Sequence, residues 1–321
     1  MTVGSALSRI DPMVRLLVIA ILLASLLPVR GGSREIAQMV ANSAVFLLFF
    51  LNGLRLSRAD VLRGMANLRF LSPLLIWVFV AMTAVGWMIY MVGLAVLPPV
   101  VALGFLYVGT LPSTVQSATA YSSLAGGNVA SSVIAAALLN IMGVFVTAPI
   151  FSALAGSAHV SLGWEGLLKV VLILLLPFVL GQIAQRWIQG WVMHNRGIVT
   201  WMDRISIAIP VYVAFSGAVE QGIWERVAPA DWGFILGGVG VMLTLAFGGA
   251  WLLSGAIGLR RDDRISFLFA GAHKSIAMGA PLATVLFPPT VSGLLLLPTL
   301  IYHLAQLIVS APLAARLAKR R

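Results

Sequence analysis

The sequence predicts an all-α membrane protein: ten transmembrane helices in two inverted five-helix repeats, the fourth and ninth helices discontinuous. Three observations carry this. Of the 321 residues 60% are hydrophobic and only 10% charged, against about 25% charged in ordinary soluble domains, and the mean hydropathy is +1.01. One lysine, Lys274, lies inside an apolar stretch long enough to cross a bilayer. Short segments also recur at a nearly constant offset.

A span needs about 20 apolar residues. Candidate spans lie at 12–29, 36–54, 70–92, 97–125 (interrupted), 128–154, 166–188, 203–221, 232–258, 264–288 (interrupted) and 291–315. Arg9 and Arg15 precede the apolar run Leu16–Leu27, a pattern that a cleaved signal core shares with a first span. We read it as a retained span, because the repeat requires it. An even number of spans places both termini on one side. Sixteen of the 21 Lys and Arg fall on that side, and four (Arg30, Arg34, Lys169 and Arg226) on the other, Lys274 being the last. This bias predicts cytoplasmic termini, and one span more or fewer would scramble it.

The net charge of +11 therefore belongs to short connections and predicts no nucleic-acid partner. Asp11, Asp60, Asp203, Asp262 and Asp263 fall on the cytoplasmic side and Glu35, Glu165, Glu220, Glu225 and Asp231 outside, so no carboxylate lies at the depth of Lys274. Most of the nine tryptophans lie near span ends, as interfacial anchors do. Zero cysteines exclude disulfides, thiol chemistry and thiolate metal sites.

The repeat is read from three matches. Phe105–Ser113 (FLYVGTLPS) pairs with Phe267–Ser275 (FLFAGAHKS) at an offset of 162, and Val144–Ile150 (VFVTAPI) with Leu307–Leu313 (LIVSAPL) at 163. More weakly, Phe50–Leu54 pairs with Ala214–Ala218 at 164. Repeat one covers 12–154 and repeat two 166–315. Five spans per repeat is an odd number, so the halves lie in opposite orientations. Interruptions in corresponding spans of inverted halves point to a binding site at the membrane midplane.

A lone cation at mid-membrane depth costs roughly 3 kcal/mol on insertion scales and normally marks a pathway or site. Gly271, Ala272, Ser275, Gly279 and Pro281 surround Lys274, and such a composition lets a helix open its backbone where it lines a cavity. In span four, Pro112 removes a backbone donor and restricts Leu111, predicting a break near 110–114.

Ser113, Thr114, Gln116, Ser117, Thr119 and Tyr121 then offer hydroxyl and amide groups to an ion or small solute. Bonding back to their own helix, or gluing helices together, explains such groups equally well. Asn140 in span five suits bracing of the break or helix–helix contact, and Asn42 and Asn52 in span two suit a cavity or a neighbouring helix. Gly126, Gly127 and Asn128 suit helix capping. His273 beside the break and His303 in span ten are candidate proton carriers or satisfied core residues. Two roles suit Lys274: a proton-exchanging amine, or a fixed charge held by carbonyls at the end of a half-helix.

The segments LPSTVQSATAYSSLAGGNVASSV (Leu111–Val133), FFLNGLRLS (Phe49–Ser57) and FAGAHKSIAMGAPLA (Phe269–Ala283) resemble the bile-acid–sodium symporter superfamily, in its SBF-like branch. The resemblance spans nearly the whole chain. It implies that helices 4 and 9 unwind where they cross, that helices 1, 2, 6 and 7 form a panel and 3–5 with 8–10 a core, and that substrate binds between the two. The Glu, Gln and Asn that bile-acid carriers place around the helix-nine break correspond here to Phe269, His273 and Lys274. The resemblance thus implies that the Lys274 ammonium replaces one sodium ion. A residual sodium site would keep Ser117, Thr119 and Ser132.

The reading is a secondary active transporter in a lipid bilayer, expected in a bacterial inner membrane, that moves a small organic anion coupled to sodium or protons. Ser113, Thr114, Gln116, Ser117, Thr119, Asn140, His273, Lys274 and Ser275 are its candidate site residues. No cofactor is expected beyond a sodium ion. A regulatory membrane protein of the same fold is the alternative. An intramembrane enzyme is disfavoured, there being no carboxylate pair within the spans and no metal-ligand spacing. No phosphate-binding loop is present to support drive by ATP.

Overall fold

The computed structural model describes residues 12–55, 67–155, 171–220, 222, 225 and 227–319. The start of the span at 166–188, the end of the Phe49–Ser57 motif, and Arg9, Arg58, Arg63, Lys169 and Arg226 lie outside the described residues. All regular structure among the described residues is helical. In chain order the helices are α1 (Pro12–Leu26), α2 (Ser33–Arg55), α3 (Leu68–Gly93), α4 (Pro99–Thr110), α5 (Gln116–Leu124) and α6 (Val129–Ala155). There follow α7 (Leu176–His194), α8 (Arg196–Glu220), α9 (Pro229–Ala256), α10 (Arg261–Ala272), α11 (Ile276–Leu286) and α12 (Pro289–Ala318).

Among the described residues seven helices are long and apolar enough to cross a membrane: α2, α3, α6, α7 with its preceding turn, α8, α9 and α12. The shorter α1 and α4 are also apolar. Prolines set several boundaries: Pro99 and Pro229 open α4 and α9 at positions where the missing N–H would have no intrahelical partner. Asp231 accepts a hydrogen bond from the Ala228 N–H at 2.8 Å, closing the first turn of α9. Two turns of π-helix interrupt the α-helical pattern, at Trp77–Ala81 within α3 and at Val171–Leu175 before α7.

Packing divides the chain into two compact units. The first comprises residues 1–55, 164–225 and 280–294, and so contains α1, α2, α7 and α8. Gly53 of α2 and Gly181 of α7 face one another's backbone so closely that neither position has room for a Cβ. The Gln185 amide donates to Leu54 O at 2.9 Å. Arg55 donates to Asp203 Oδ2 at 3.0 Å and to Val199 O at 2.9 Å, tying the end of α2 to α8. Arg34, near the other end of α2, pairs with Glu220 at the end of α8.

The second unit comprises residues 56–163, 226–279 and 295–321. Its helices meet through glycines as well: a Cβ on Gly86 would lie 2.5 Å from Phe105 O, and one on Gly109 would lie 2.7 Å from Met82 O. The division implied by the resemblance keeps 264–288 in one block, whereas here the chain passes from one unit to the other within α11, after Gly279.

Candidate functional site

Two helix breaks lie side by side in the second unit. The chain leaves α4 at Leu111 in an extended conformation (φ −70°, ψ 145°) and resumes helix at Gln116. It leaves α10 at His273 in the same way (φ −78°, ψ 143°) and resumes at Ile276. Pro112 explains the first break, since it can neither donate a backbone bond nor tolerate helical geometry before it. The Ser275 N–H donates to Pro112 O at 2.9 Å, joining the two extended segments directly.

An α-helix ends with four carbonyls lacking intrahelical partners, and Tyr107, Val108 and Thr110 are fully buried, so water does not supply them. At the end of α4 each of the four finds a partner. Tyr107 O accepts from Thr110 Oγ1 at 2.8 Å, Val108 O from the Leu111 N–H at 3.2 Å, and Thr110 O from Thr147 Oγ1 at 2.9 Å. Gly109 O accepts from Lys274 Nζ at 2.8 Å, with Thr83 Oγ1 at 3.3 Å. Beyond the helix, Leu111 O accepts from Lys274 Nζ at 2.7 Å and Ser113 O from Asn140 Nδ2 at 2.9 Å.

The third bond of the ammonium, at 3.0 Å, goes to Val78 O. Val78 lies in the π-helical turn of α3, where the Met82 N–H reaches back to Trp77 O instead of Val78 O. That diversion leaves the carbonyl of an apolar residue available to the amine. Lys274 is 1% exposed, so its three donors end on three neutral carbonyls, near the C-terminal pole of α4, where partial negative charge favours a cation.

Around the second break, Gln306 of α12 accepts from the Lys274 N–H and donates to the Lys274 carbonyl. Tyr302 donates to Ala272 O at 2.7 Å, and Tyr107 to Gly279 O at 2.6 Å. His303 Nδ1 lies 2.8 Å from Gln306 Nε2.

His273, fully buried, joins three elements. Its Nδ1 lies 3.1 Å from both Thr114 Oγ1 and Ser117 Oγ, and its Nε2 lies 2.8 Å from Ser310 Oγ of α12. Phe247, Phe269 and Tyr121 pack around its ring, most nearly edge-on. The restarting helices carry hydroxyl caps, Thr114 Oγ1 accepting from the Ala118 N–H and Ser275 Oγ from the Met278 N–H, at 3.2 Å each.

Of the residues singled out by sequence, Thr114, Ser117, Asn140, His273, Lys274 and Ser275 thus come together at the breaks. Ser113 is there too, buried, with its hydroxyl lacking a protein partner. Gln116 is exposed at the start of α5. Thr119 accepts from Ser132 Oγ at 3.5 Å, and Ser117 Oγ lies 3.1 Å from His273 Nδ1. Asn42 accepts from Gln38 within α2, and Asn52 is half-buried in the same helix; both belong to the first unit. Asn128 caps α6 through the Ser131 N–H and donates to Asp263 Oδ1 at 2.9 Å.

Sequence reading missed Val78, Thr147, Tyr302, Gln306 and Ser310. Four of these are polar groups in apolar spans, a signal that was present. Val78 acts through its backbone alone, and its side chain gave no sign of it. Among the described residues no group of three or more His, Cys, Asp or Glu is placed to hold a metal ion.

The family model of the SBF-like CPA transporters matches residues 11–319. The chain is 36% identical over 308 residues to the Escherichia coli protein named "Putative symporter YfeH", covering 96% of this chain and 92% of that protein. It is 37% identical over 309 residues to PA2026 of Pseudomonas aeruginosa, covering 95% and 92%. Similarity extends to the mouse protein named sodium/bile acid cotransporter 7, at 24% over 314 residues, covering 92% and 89%. With apolar helices of spanning length and a match over nearly its whole length, this chain is a multi-pass membrane protein of the SBF-like CPA transporter family, a class of transporters and not of enzymes.

Proposed function

We propose that this protein is a secondary active transporter that moves a small organic anion by alternating access, coupled to sodium or protons. The observation that carries this reading is the buried Lys274 ammonium at the junction of two helix breaks, bonded to carbonyls only. A positive charge without a carboxylate partner at that depth favours a site for negative groups. Because all three donors of the amine are engaged, its action on the anion is through charge. Direct contacts fall to Ser113, Thr114, Gln116, Ser117, Thr119 and the capped starts of α5 and α11, whose N-terminal poles favour anions. His273 and Asn140 hold the breaks in place.

In this reading α4 with α5, and α10 with α11, are each one interrupted span, giving ten spans in two inverted repeats. The helices of the first unit, α1, α2, α7 and α8, form a panel, and those of the second form the core. Both termini lie in the cytoplasm, and the membrane is a bacterial inner membrane, which the bacterial relatives support. The relatives' names, "Putative symporter YfeH" and "Sodium/bile acid cotransporter 7", support coupled transport, the second of them of an organic anion.

The test is uptake by the purified protein in proteoliposomes. A set of organic anions, a bile acid among them, is presented under an imposed sodium gradient, an imposed pH gradient, or neither. Concentrative uptake of one anion under one gradient supports the reading. Failure of every anion to accumulate under both gradients, with the protein correctly inserted, favours a regulator that carries no solute.

A further inference from the structure

The carbonyls of Val78, Gly109 and Leu111 converge on one point from three different backbone settings: a π-helical turn, the last turn of α4 and an extended break. All three oxygens are neutral, and at 3.0, 2.8 and 2.7 Å they surround the Lys274 nitrogen. Backbone carbonyls aimed at a common centre are how proteins replace the hydration shell of a monovalent cation. Here the centre is filled by a charge covalently fixed to the chain. Gln306 holds the non-helical backbone of Lys274 in place, and the amine itself is held by its three carbonyl bonds. With the ammonium nitrogen 2.7–3.0 Å from all three oxygens, no sodium ion fits at their centre beside it.

We propose that this carbonyl cage is a monovalent-cation site whose permanent occupant is the protein's own ammonium group. The inference rests on the reading of Lys274 as a fixed charge at the helix breaks. The native protein then takes no free cation in the cage, and a chain shortened at this side chain needs one. Without the amine, the Val78 and Leu111 carbonyls lose this donor, Gly109 O keeps only Thr83 Oγ1 at 3.3 Å, and the negative pole of α4 loses its countercharge. A small cation restores both, provided the truncated side chain leaves it room.

The experiment compares the full-length wild type with Lys274→Ala, which leaves space for an ion, and with Lys274→Met, whose uncharged side chain, one atom shorter than lysine, fills most of that space. Each is purified and melted in sodium, potassium, methylammonium or choline chloride at one ionic strength, choline being too large for the cage. Neither substrate nor gradient is present, so the result is independent of whether the transport reading holds. The expected result is a saturable rise in the melting temperature of Lys274→Ala with sodium, potassium or methylammonium over choline, which neither the wild type nor Lys274→Met shows. Radioactive sodium binding supports it by a gain of one displaceable ion in Lys274→Ala over wild type, if sodium is the cation that stabilises. Equal responses of the Ala and Met variants overturn the proposal, as does failure to recover Lys274→Ala in any of the four salts.

Discussion

Gln306 holds the backbone of Lys274 from both sides: its Oε1 accepts from the Lys274 N–H at 2.8 Å, and its Nε2 donates to the Lys274 carbonyl at 3.1 Å. One side chain thereby does for a non-helical residue what a helix does for its own peptides. Replacing it with leucine leaves both peptide groups without these bonds in a buried place, each at about 1–3 kcal/mol. Gln306→Leu is expected to lower stability by about 2 kcal/mol or more, read as a fall in the melting temperature of the detergent-purified protein.

Gly109 serves the break in two ways. Its carbonyl accepts from Lys274, and its Cα sits where a Cβ would lie 2.7 Å from Met82 O and 3.1 Å from Thr83 Cα. Those neighbours are backbone atoms of α3, so relief requires the helices to move apart. Gly109→Ala is expected to cost about 1–3 kcal/mol. Gly233→Ala, where a Cβ meets nothing within 4 Å, is the control that leaves the melting temperature nearly unchanged.

Two ion pairs tie α2 to α8 and differ in burial. Asp203 is 9% exposed and bonded to Arg55, whereas Arg34 and Glu220 are each about one-third exposed. Removing the guanidinium beside a buried carboxylate costs more than removing one from a solvated pair. Arg55→Ala is expected to destabilise by about 1–3 kcal/mol, and Arg34→Ala by about 0–1 kcal/mol. Melting of both variants in low and high salt checks the order.

His273 bridges α5 and α12 through Thr114, Ser117 and Ser310. Side chains in one hydrogen-bonded network do not act additively. The variants His273→Phe and Ser310→Ala are expected to couple by about 1 kcal/mol in a double-mutant cycle on stability. Additive losses would show that the imidazole and the hydroxyl do not work together.

Much of this arrangement was legible in the residues. Pro112 and the small residues beside Lys274 located both breaks, and the polar residues after Pro112 marked one side of the junction. The bonds of the ammonium were less so, because they depend on backbone atoms. Trp77–Ala81 contains no glycine or proline to betray a π-helical turn, and nothing in its apolar side chains says that Val78 O is available. The sequence also does not tell adjacent hydroxyls apart: Thr114 Oγ1 accepts from the Ala118 N–H at the start of α5, while the Ser113 hydroxyl has no protein partner. The partners in α6 and α12, Thr147, Tyr302, Gln306 and Ser310, are far off in sequence, and only folding brings them to the carbonyls they satisfy.

The central claim is that the charge of Lys274, placed where the two broken helices meet, is needed for transport. It is tested most directly by the initial rate of anion uptake into proteoliposomes carrying equal amounts of wild type or Lys274→Met, with insertion and folding checked beforehand. The account predicts that the folded, inserted variant loses at least about tenfold in rate, equivalent to about 1.4 kcal/mol. Uptake by Lys274→Met at the wild-type rate would contradict it.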